Sequence, residues 1–167
     1  MEIHLDPTAA LVERLAAALR ARGAMLAIAE SCTGGLVAAA CTALAGSSEW
    51  FERGFVSYSN AAKTAMLGVP AELIARHGAV SAEVAGAMAE GALAHSSARF
   101  AVAVTGIAGP GGATPGKPVG TVWIGVAAVG QATRTTLLQA HGDRTKIREA
   151  AVVAALQRVV DLVRQNR

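Results

Sequence analysis

Apolar positions along the chain recur with two periods, and the switches between them mark out the elements. Between Asp6 and Arg22, Ala9, Leu11, Val12, Leu15, Ala16 and Leu19 share one helical face, with Asp6-Pro7 as cap and first-turn proline and Gly23 as the stop. Ala24 to Ala29 is a short apolar run with the length and flanks of a buried strand. After it Leu36, Val37, Ala40 and Leu44 return to helical spacing and predict a helix near 33–44. A turn or short helical turn begins at Gly46-Ser47-Ser48, and Arg53 to Ser59 alternates as a strand does. Helices are predicted from Asn60 to Gly68, from Pro70 to His77, and from Ser81 to about His95 with Val84, Met88, Gly91 and Ala92 facing inward. Phe100 to Val104 is a second buried strand, Val119 to Val129 and Thr133 to Leu138 read as an antiparallel hairpin, and a last helix runs from about Thr145 to Val163. This alternation predicts an α/β protein: a single three-layer α/β/α domain over 1–167 with a mostly parallel sheet.

Composition narrows the function classes. No apolar run approaches the roughly 18 residues of a membrane span, and Met1 to Asp6 lacks the basic and apolar regions of a signal peptide, so a cytoplasmic protein is expected. The net charge of +3 is spread among scattered Lys and Arg, and aromatics are only 4% of the chain. No basic stripe with stacking residues exists, which speaks against nucleic acid. Cys32 and Cys41 fall on one predicted helix about 13 Å apart, beyond disulfide reach. His4, His77, His95 and His141 show no metal-ligand spacing, so neither metal nor cofactor is expected.

Chemistry concentrates where apolar strands end. Glu30-Ser31-Cys32-Thr33-Gly34-Gly35 places two hydroxyls and a thiol between a strand and a helix N-terminus, where backbone N–H groups attract anions. Taken alone, that segment also reads as a helix cap, with Ser31 or Thr33 as N-cap. Phe100 to Val104 likewise runs into Thr105-Gly106, and the carboxyl ends of parallel strands share one crevice. The loop from Gly106 through Gly109 and Gly111 to Gly112 is neither a dinucleotide fingerprint nor a P-loop, which disfavours a nicotinamide dinucleotide dehydrogenase. His141 with Asp143 offers a thin basis for a serine triad. Lys63 stands in a segment without acidic residues between Arg53 and Pro70; desolvated, it would serve as a base, and otherwise it reads as a surface lysine.

The strings AESCTGG (29–35), AGSSEWFERGFVSYSNAAK (45–63), HGAVS (77–81), VTGIAGPGG (104–112), KPVGTVW (117–123) and GDR (142–144) resemble the CinA C-terminal domain family, over nearly the whole chain from 6 to 165. Standalone members of that family are nicotinamide-nucleotide amidases, and the resemblance implies a three-layer domain with a mixed five-stranded sheet. It also implies a catalytic pair of Ser31 and Lys63 with Tyr58 in the same pocket. Substrate contacts are implied from Glu30, Thr33, Gly34, Gly35, Ser48, Thr105, Gly106, Gly109, Gly111, Gly112 and Arg144; Ser47 and Ser48 also read as caps of the short turn before Trp50. Longer relatives carry an N-terminal molybdopterin-binding-like domain that these 167 residues do not contain, so its pyrophosphatase activity is expected to be missing. Ser97-Ala98-Arg99-Phe100 departs from the Ala-Asp pair frequent in the family, at the strand end away from the catalytic loops.

The expected reaction is hydrolysis of nicotinamide mononucleotide to nicotinate mononucleotide and ammonia, within pyridine nucleotide salvage. Ser31 attacks the carboxamide, Lys63 takes its proton, and Tyr58 relays the proton or orients Lys63. N–H groups after Ser31 form the oxyanion hole, while Arg144 and the glycine-rich loop hold the 5′-phosphate. The expected partner is a small mononucleotide, with neither nucleic acid nor membrane, in a homo-oligomer, a dimer being suspected. Two rivals stay open: a catalytically weak nucleotide-binding regulatory module, and Cys32 as the nucleophile through a depressed thiol pKa.

Overall fold

The computed structural model describes residues 6–166, so His4 lies outside the described residues. Helix α1 (Pro7–Arg22) starts where the Asp6 side chain accepts the Thr8 N–H and ends at Gly23 in the left-handed region. There follow β1 (Leu26–Glu30), α2 (Leu36–Thr42), a single 3-10 turn (Ser47–Glu49), β2 (Phe51–Val56), α3 (Asn60–Leu67), α4 (Ala71–His77) and α5 (Ala82–Ala94). The chain closes with β3 (Phe100–Gly106), β4 (Thr121–Ala128), β5 (Arg134–Gln139) and α6 (Arg144–Gln165). Each predicted element is present. The boundary shifts are largest at α2, which begins three residues later than expected and stops before Leu44, and at β2, which ends three residues earlier than expected.

The strands form one sheet in the order β2-β1-β3-β4-β5. β1 pairs in parallel with both β2 and β3, whereas β3-β4 and β4-β5 are antiparallel, so the sheet is mixed and its parallel half consists of β2, β1 and β3. Its two faces differ in side-chain size because the strands alternate large and small residues with period two. Leu26 and Ile28 of β1, Phe100, Val102 and Val104 of β3, and Val122 and Ile124 of β4 pack against α1 and α6. On the other face Ala27, Ala29, Ala101, Ala103 and Ala127 meet Val84, Met88, Ala89 and Ala92 of α5, with Leu67 and Ile74 from α3 and α4. Small side chains let α5 approach the sheet closely. A Cβ at Gly125 would run into the Ala85 carbonyl, so this glycine is required by the close approach of helix to strand.

Parallel pairing aligns the carboxyl ends of three neighbouring strands on one edge: Glu30 of β1, Val56 of β2 and Gly106 of β3. The segments leaving those ends therefore share one crevice. Among the described residues no helix is long and apolar enough to cross a membrane.

Gly125→Ala is expected to destabilise the protein by about 1–3 kcal/mol, because the added Cβ meets the Ala85 and Gly86 backbone of α5 and not the end of a flexible side chain. Chemical denaturation reads this as a lower midpoint at unchanged slope; an unchanged midpoint would contradict the close approach of α5 to β4.

Candidate active site

The turn after β1 is organised by a buried carboxylate. Glu30 is 1% exposed, and its Oε1 accepts the N–H groups of Gly35 at 3.2 Å and Val37 at 3.0 Å, while Oε2 accepts that of Ala38 at 3.0 Å. These are the N–H groups a helix start leaves unpaired, so Glu30 caps α2 and does not face a ligand. This corrects two expectations. Glu30 is a scaffold residue, and the N-cap position falls to Gly35, at φ 102, in place of Ser31 or Thr33. With the chain's own carboxylate at the positive end of α2, an anionic ligand is not drawn there.

Released from capping, Ser31 sits one residue past β1 with its N–H donating to Val104 O at 3.0 Å, and it is 8% exposed. Lys63 reaches it from the first turn of α3, whose start is set by the Ser59 side chain accepting the Ala62 N–H. Lys63 is only 1% exposed, which overturns its reading as a surface lysine. Its Nζ donates to the carbonyls of Ser57 at 3.2 Å and Tyr58 at 3.0 Å and lies 3.1 Å from Ser31 Oγ. No carboxylate is among these partners, and burial holds the Lys63 amine below the usual lysine range.

A cavity of about 250 Å³ opens over this pair. Of the expected site residues, Ser31, Tyr58, Lys63, Thr105, Gly106, Gly109, Gly111, Gly112 and Arg144 line it together, and no Asp or Glu does. Arg144, the first residue of α6, donates from Nη1 to Gly109 O at 2.8 Å and from Nη2 to the Tyr58 hydroxyl at 3.3 Å, tying the glycine-rich loop to the rim. Tyr58 touches Lys63 through its backbone carbonyl. Its phenol is on the rim beside Arg144, the residue 59% exposed, so Tyr58 meets the lysine through its backbone and the expected relay through its hydroxyl is not assembled. Thr105 Oγ1 donates to Ala79 O at 2.9 Å and thereby holds the loop between α4 and α5 against the cavity.

Five expected contacts stand outside the lining. Besides Glu30, these are Thr33, fully buried with its hydroxyl unpartnered among the described residues; Gly34 and Gly35, which carry the chain into α2; and Ser48. Ser48 is in the 3-10 turn that leads into the start of β2, beside the start of β1, and thus at the sheet edge opposite Ser31. Cys32 lines the cavity, but burial pushes its thiol up to about 11, the reverse of what a thiolate nucleophile requires. His141 is exposed, and the Asp143 carboxylate caps α6 by accepting the Lys146 N–H at 2.9 Å, so no triad forms.

Sequence reasoning missed Ser57, whose carbonyl holds Lys63; Asn60, at the cavity wall; and Arg148. Arg148 donates to the carbonyls of Cys32 at 3.1 Å and Thr33 at 3.2 Å. Its signal was available: it follows Arg144 by four residues and therefore shares its helix face.

Residues 8–163 match the CinA C-terminal domain family. The chain is similar to the nicotinamide-nucleotide amidohydrolase PncC of Pseudomonas putida, at 51% identity over 95% of this chain and 98% of that protein. It is similar also to the nicotinamide-nucleotide amidohydrolase PncC of Escherichia coli strain K12, at 50% identity over 93% and 94% of the two chains. Among solved structures, the competence/damage inducible protein CihA from Agrobacterium tumefaciens superposes with a TM-score of 0.91 at 45% identity, covering 97% of this chain and 99% of that one. With its buried Ser31 and Lys63 at the shared strand ends, this chain belongs to the CinA C-terminal domain family.

Proposed function

We propose that the chain, acting as one catalytic domain, is an amidohydrolase that converts nicotinamide mononucleotide to nicotinate mononucleotide and ammonia, serving pyridine nucleotide salvage in the cytoplasm. The observation that carries this reading is the Lys63 amine, buried against two carbonyls and the Ser31 hydroxyl with no carboxylate to hold its proton. A neutral amine has two N–H donors and one lone pair. The two carbonyls take the donors, and the lone pair is left for the proton of Ser31. A pocket that only binds a nucleotide has no use for such a base, which separates this reading from a regulatory module. The names of the relatives from Pseudomonas putida and Escherichia coli supply the substrate class.

In the reaction, Ser31 Oγ bonds to the carboxamide carbon as its proton passes to Lys63 Nζ. The C–N bond then breaks, Lys63 returns the proton to the leaving nitrogen, and ammonia departs. Water attacks the acyl-enzyme with Lys63 again taking a proton; the ester bond then breaks as Lys63 returns that proton to Ser31 Oγ, and the acid leaves and ionises to the carboxylate, with serine and neutral lysine restored. The negative oxygen of both tetrahedral stages needs a donor, and the turn offers the N–H of Cys32 at the cavity wall. From Ser31 to Ala38, every N–H is paired within the chain except those of Cys32 and Thr33, among the described residues. Arg144, beside the glycine-rich loop, is the cation available for the 5′-phosphate.

Ammonia release from nicotinamide mononucleotide tests the reading. Lys63→Arg is expected to lose roughly 10²–10⁴-fold in kcat, as much as Lys63→Ala, because a guanidinium keeps the charge but accepts no proton. Wild-type activity falls as pH falls, since protonation disables the base, and the apparent pKa lies below the roughly 10.4 of a free lysine. Substantial turnover by Lys63→Arg would reduce the lysine to a structural cation.

Arg144→Ala is expected to raise KM for the mononucleotide by roughly 10- to 100-fold, from the ~1.5–3 kcal/mol of a charged hydrogen bond, and to change it little for the dephosphorylated riboside. Equal losses on both substrates would place Arg144 away from the phosphate.

A further inference from the structure

Arg148 is oriented toward the backbone of the nucleophile turn in a way that packing alone does not require. It approaches from the second turn of α6 and donates from Nε to Cys32 O at 3.1 Å and from Nη2 to Thr33 O at 3.2 Å. In a trans peptide the C=O and N–H of one unit point in opposite directions. A guanidinium gripping the carbonyls of Cys32 and Thr33 therefore directs the N–H groups of Thr33 and Gly34 away from itself.

The next links in the turn are as specific. The Gly34 N–H donates to Ser31 O at 3.0 Å, and Ser31 O belongs to the peptide unit whose N–H is that of Cys32. A hydrogen bond to a carbonyl polarises the N–H of the same peptide, and successive bonds reinforce one another. Two such paths start at Arg148. One runs through Cys32 O to the Thr33 N–H in a single step, and the other through Thr33 O, the Gly34 N–H and Ser31 O to the Cys32 N–H. Both end on the two unpaired donors of the turn among its described residues. Glu30 meanwhile occupies the N–H groups further along, at Gly35, Val37 and Ala38, and leaves these two uncovered.

We propose that Arg148 is a positioning residue that orients the turn after Ser31 and polarises the Cys32 N–H, on the cavity wall, as its oxyanion-hole donor, with the Thr33 N–H behind it; this rests on the acyl-transfer reading above. Arg148 does not line the cavity. Its effect is on the transition state, where oxygen becomes negative, and not on ground-state binding.

The test pairs two assays on Arg148→Met and Arg148→Lys, with thermal unfolding as the control for folding. In ammonia release from nicotinamide mononucleotide, Arg148→Met is expected to lose roughly 10- to 100-fold in kcat with KM within a factor of about three, as for a misplaced oxyanion donor. Arg148→Lys, a single point donor, recovers part of the rate. In the second assay an alkyl fluorophosphonate labels Ser31, read by intact mass and peptide mapping. The Ser31 oxygen bonds to phosphorus, fluoride leaves, the serine proton goes to Lys63, and the phosphoryl oxygen takes the oxyanion hole. Labelling is expected to slow by a similar factor in Arg148→Met.

A wild type that labels but releases no ammonia would refute the substrate and leave Arg148 judged by labelling. Equal labelling in wild type and variants, a raised KM at unchanged kcat, or a wild type inert in both assays would overturn the assignment. Where Arg148→Met fails to fold, the same comparisons are read on Arg148→Lys.

Discussion

An amine taken out of water with only neutral acceptors around it resists protonation, and the active edge of this protein is built around one such amine. Lys63 is buried, its partners are two backbone carbonyls and a hydroxyl, and no acidic side chain lines the cavity beside it. Keeping it there requires three separate parts of the chain. β2 must end at Val56 so that the carbonyls of Ser57 and Tyr58 turn toward Nζ; α3 must start at Asn60 so that Lys63 falls in its first turn; and β1 must deliver Ser31 beside them. The Ser57 N–H donates to Glu30 O at 2.9 Å, which extends the β1-β2 pairing one step and fixes the distance between the two segments. The parallel half of the sheet thus serves the chemistry by aligning three strand ends, while the antiparallel half extends the surface that covers α5 and α6.

Formal charge in the turn after β1 is divided between its two kinds of backbone group. Glu30 takes N–H groups, Arg148 takes carbonyls, and the N–H groups of Cys32 and Thr33 are taken by neither. The division accounts for a buried carboxylate directly before Ser31 whose two oxygens are both engaged by backbone N–H groups. It is spent on the helix start, where its two oxygens accept the N–H groups of Gly35, Val37 and Ala38. A helix N-terminus is commonly an anion site, but only where the chain has not already filled it.

Much of this was legible in the residues and some was not. Element order could be read because periods of two and 3.6 are strong over these lengths, and caps such as Asp6, Ser59 and Ser81 stand where the helices begin. The layering was also written in the strands, as large residues alternating with alanine in Leu26 to Ala29 and Phe100 to Val104, yet a run of apolar residues hides it because alanine and leucine both count as buried. Lys63 and Ser31 came from resemblance, since nothing local distinguishes a buried lysine from a solvated one; burial is decided by α3 packing against a strand end 32 residues away. Glu30 was misassigned for a related reason. A carboxylate beside a serine reads as site chemistry until the backbone shows which N–H groups it faces. Ser48 lies outside the cavity, since adjacency to a motif does not say which edge of the sheet a turn occupies.

The position of Arg144 follows from what Lys63 must remain. In the proposed reaction the substrate brings a phosphate and a cationic pyridinium, with opposite effects on a neutral amine: the first favours its protonation and the second opposes it. A phosphate held next to Nζ would undo what burial accomplishes. Arg144 is tied to Gly109 O and the Tyr58 hydroxyl, on the rim and not among the partners of Lys63, so it offers a countercharge at the cavity mouth. An anion bound there is neutralised by a guanidinium, and the ring end is left toward Ser31, where its positive charge acts with burial. In the proposed reaction the separation of the two basic side chains therefore serves both ends of the substrate: Arg144 stays charged to hold the phosphate, and Lys63 stays neutral to take the proton of Ser31 as that hydroxyl attacks.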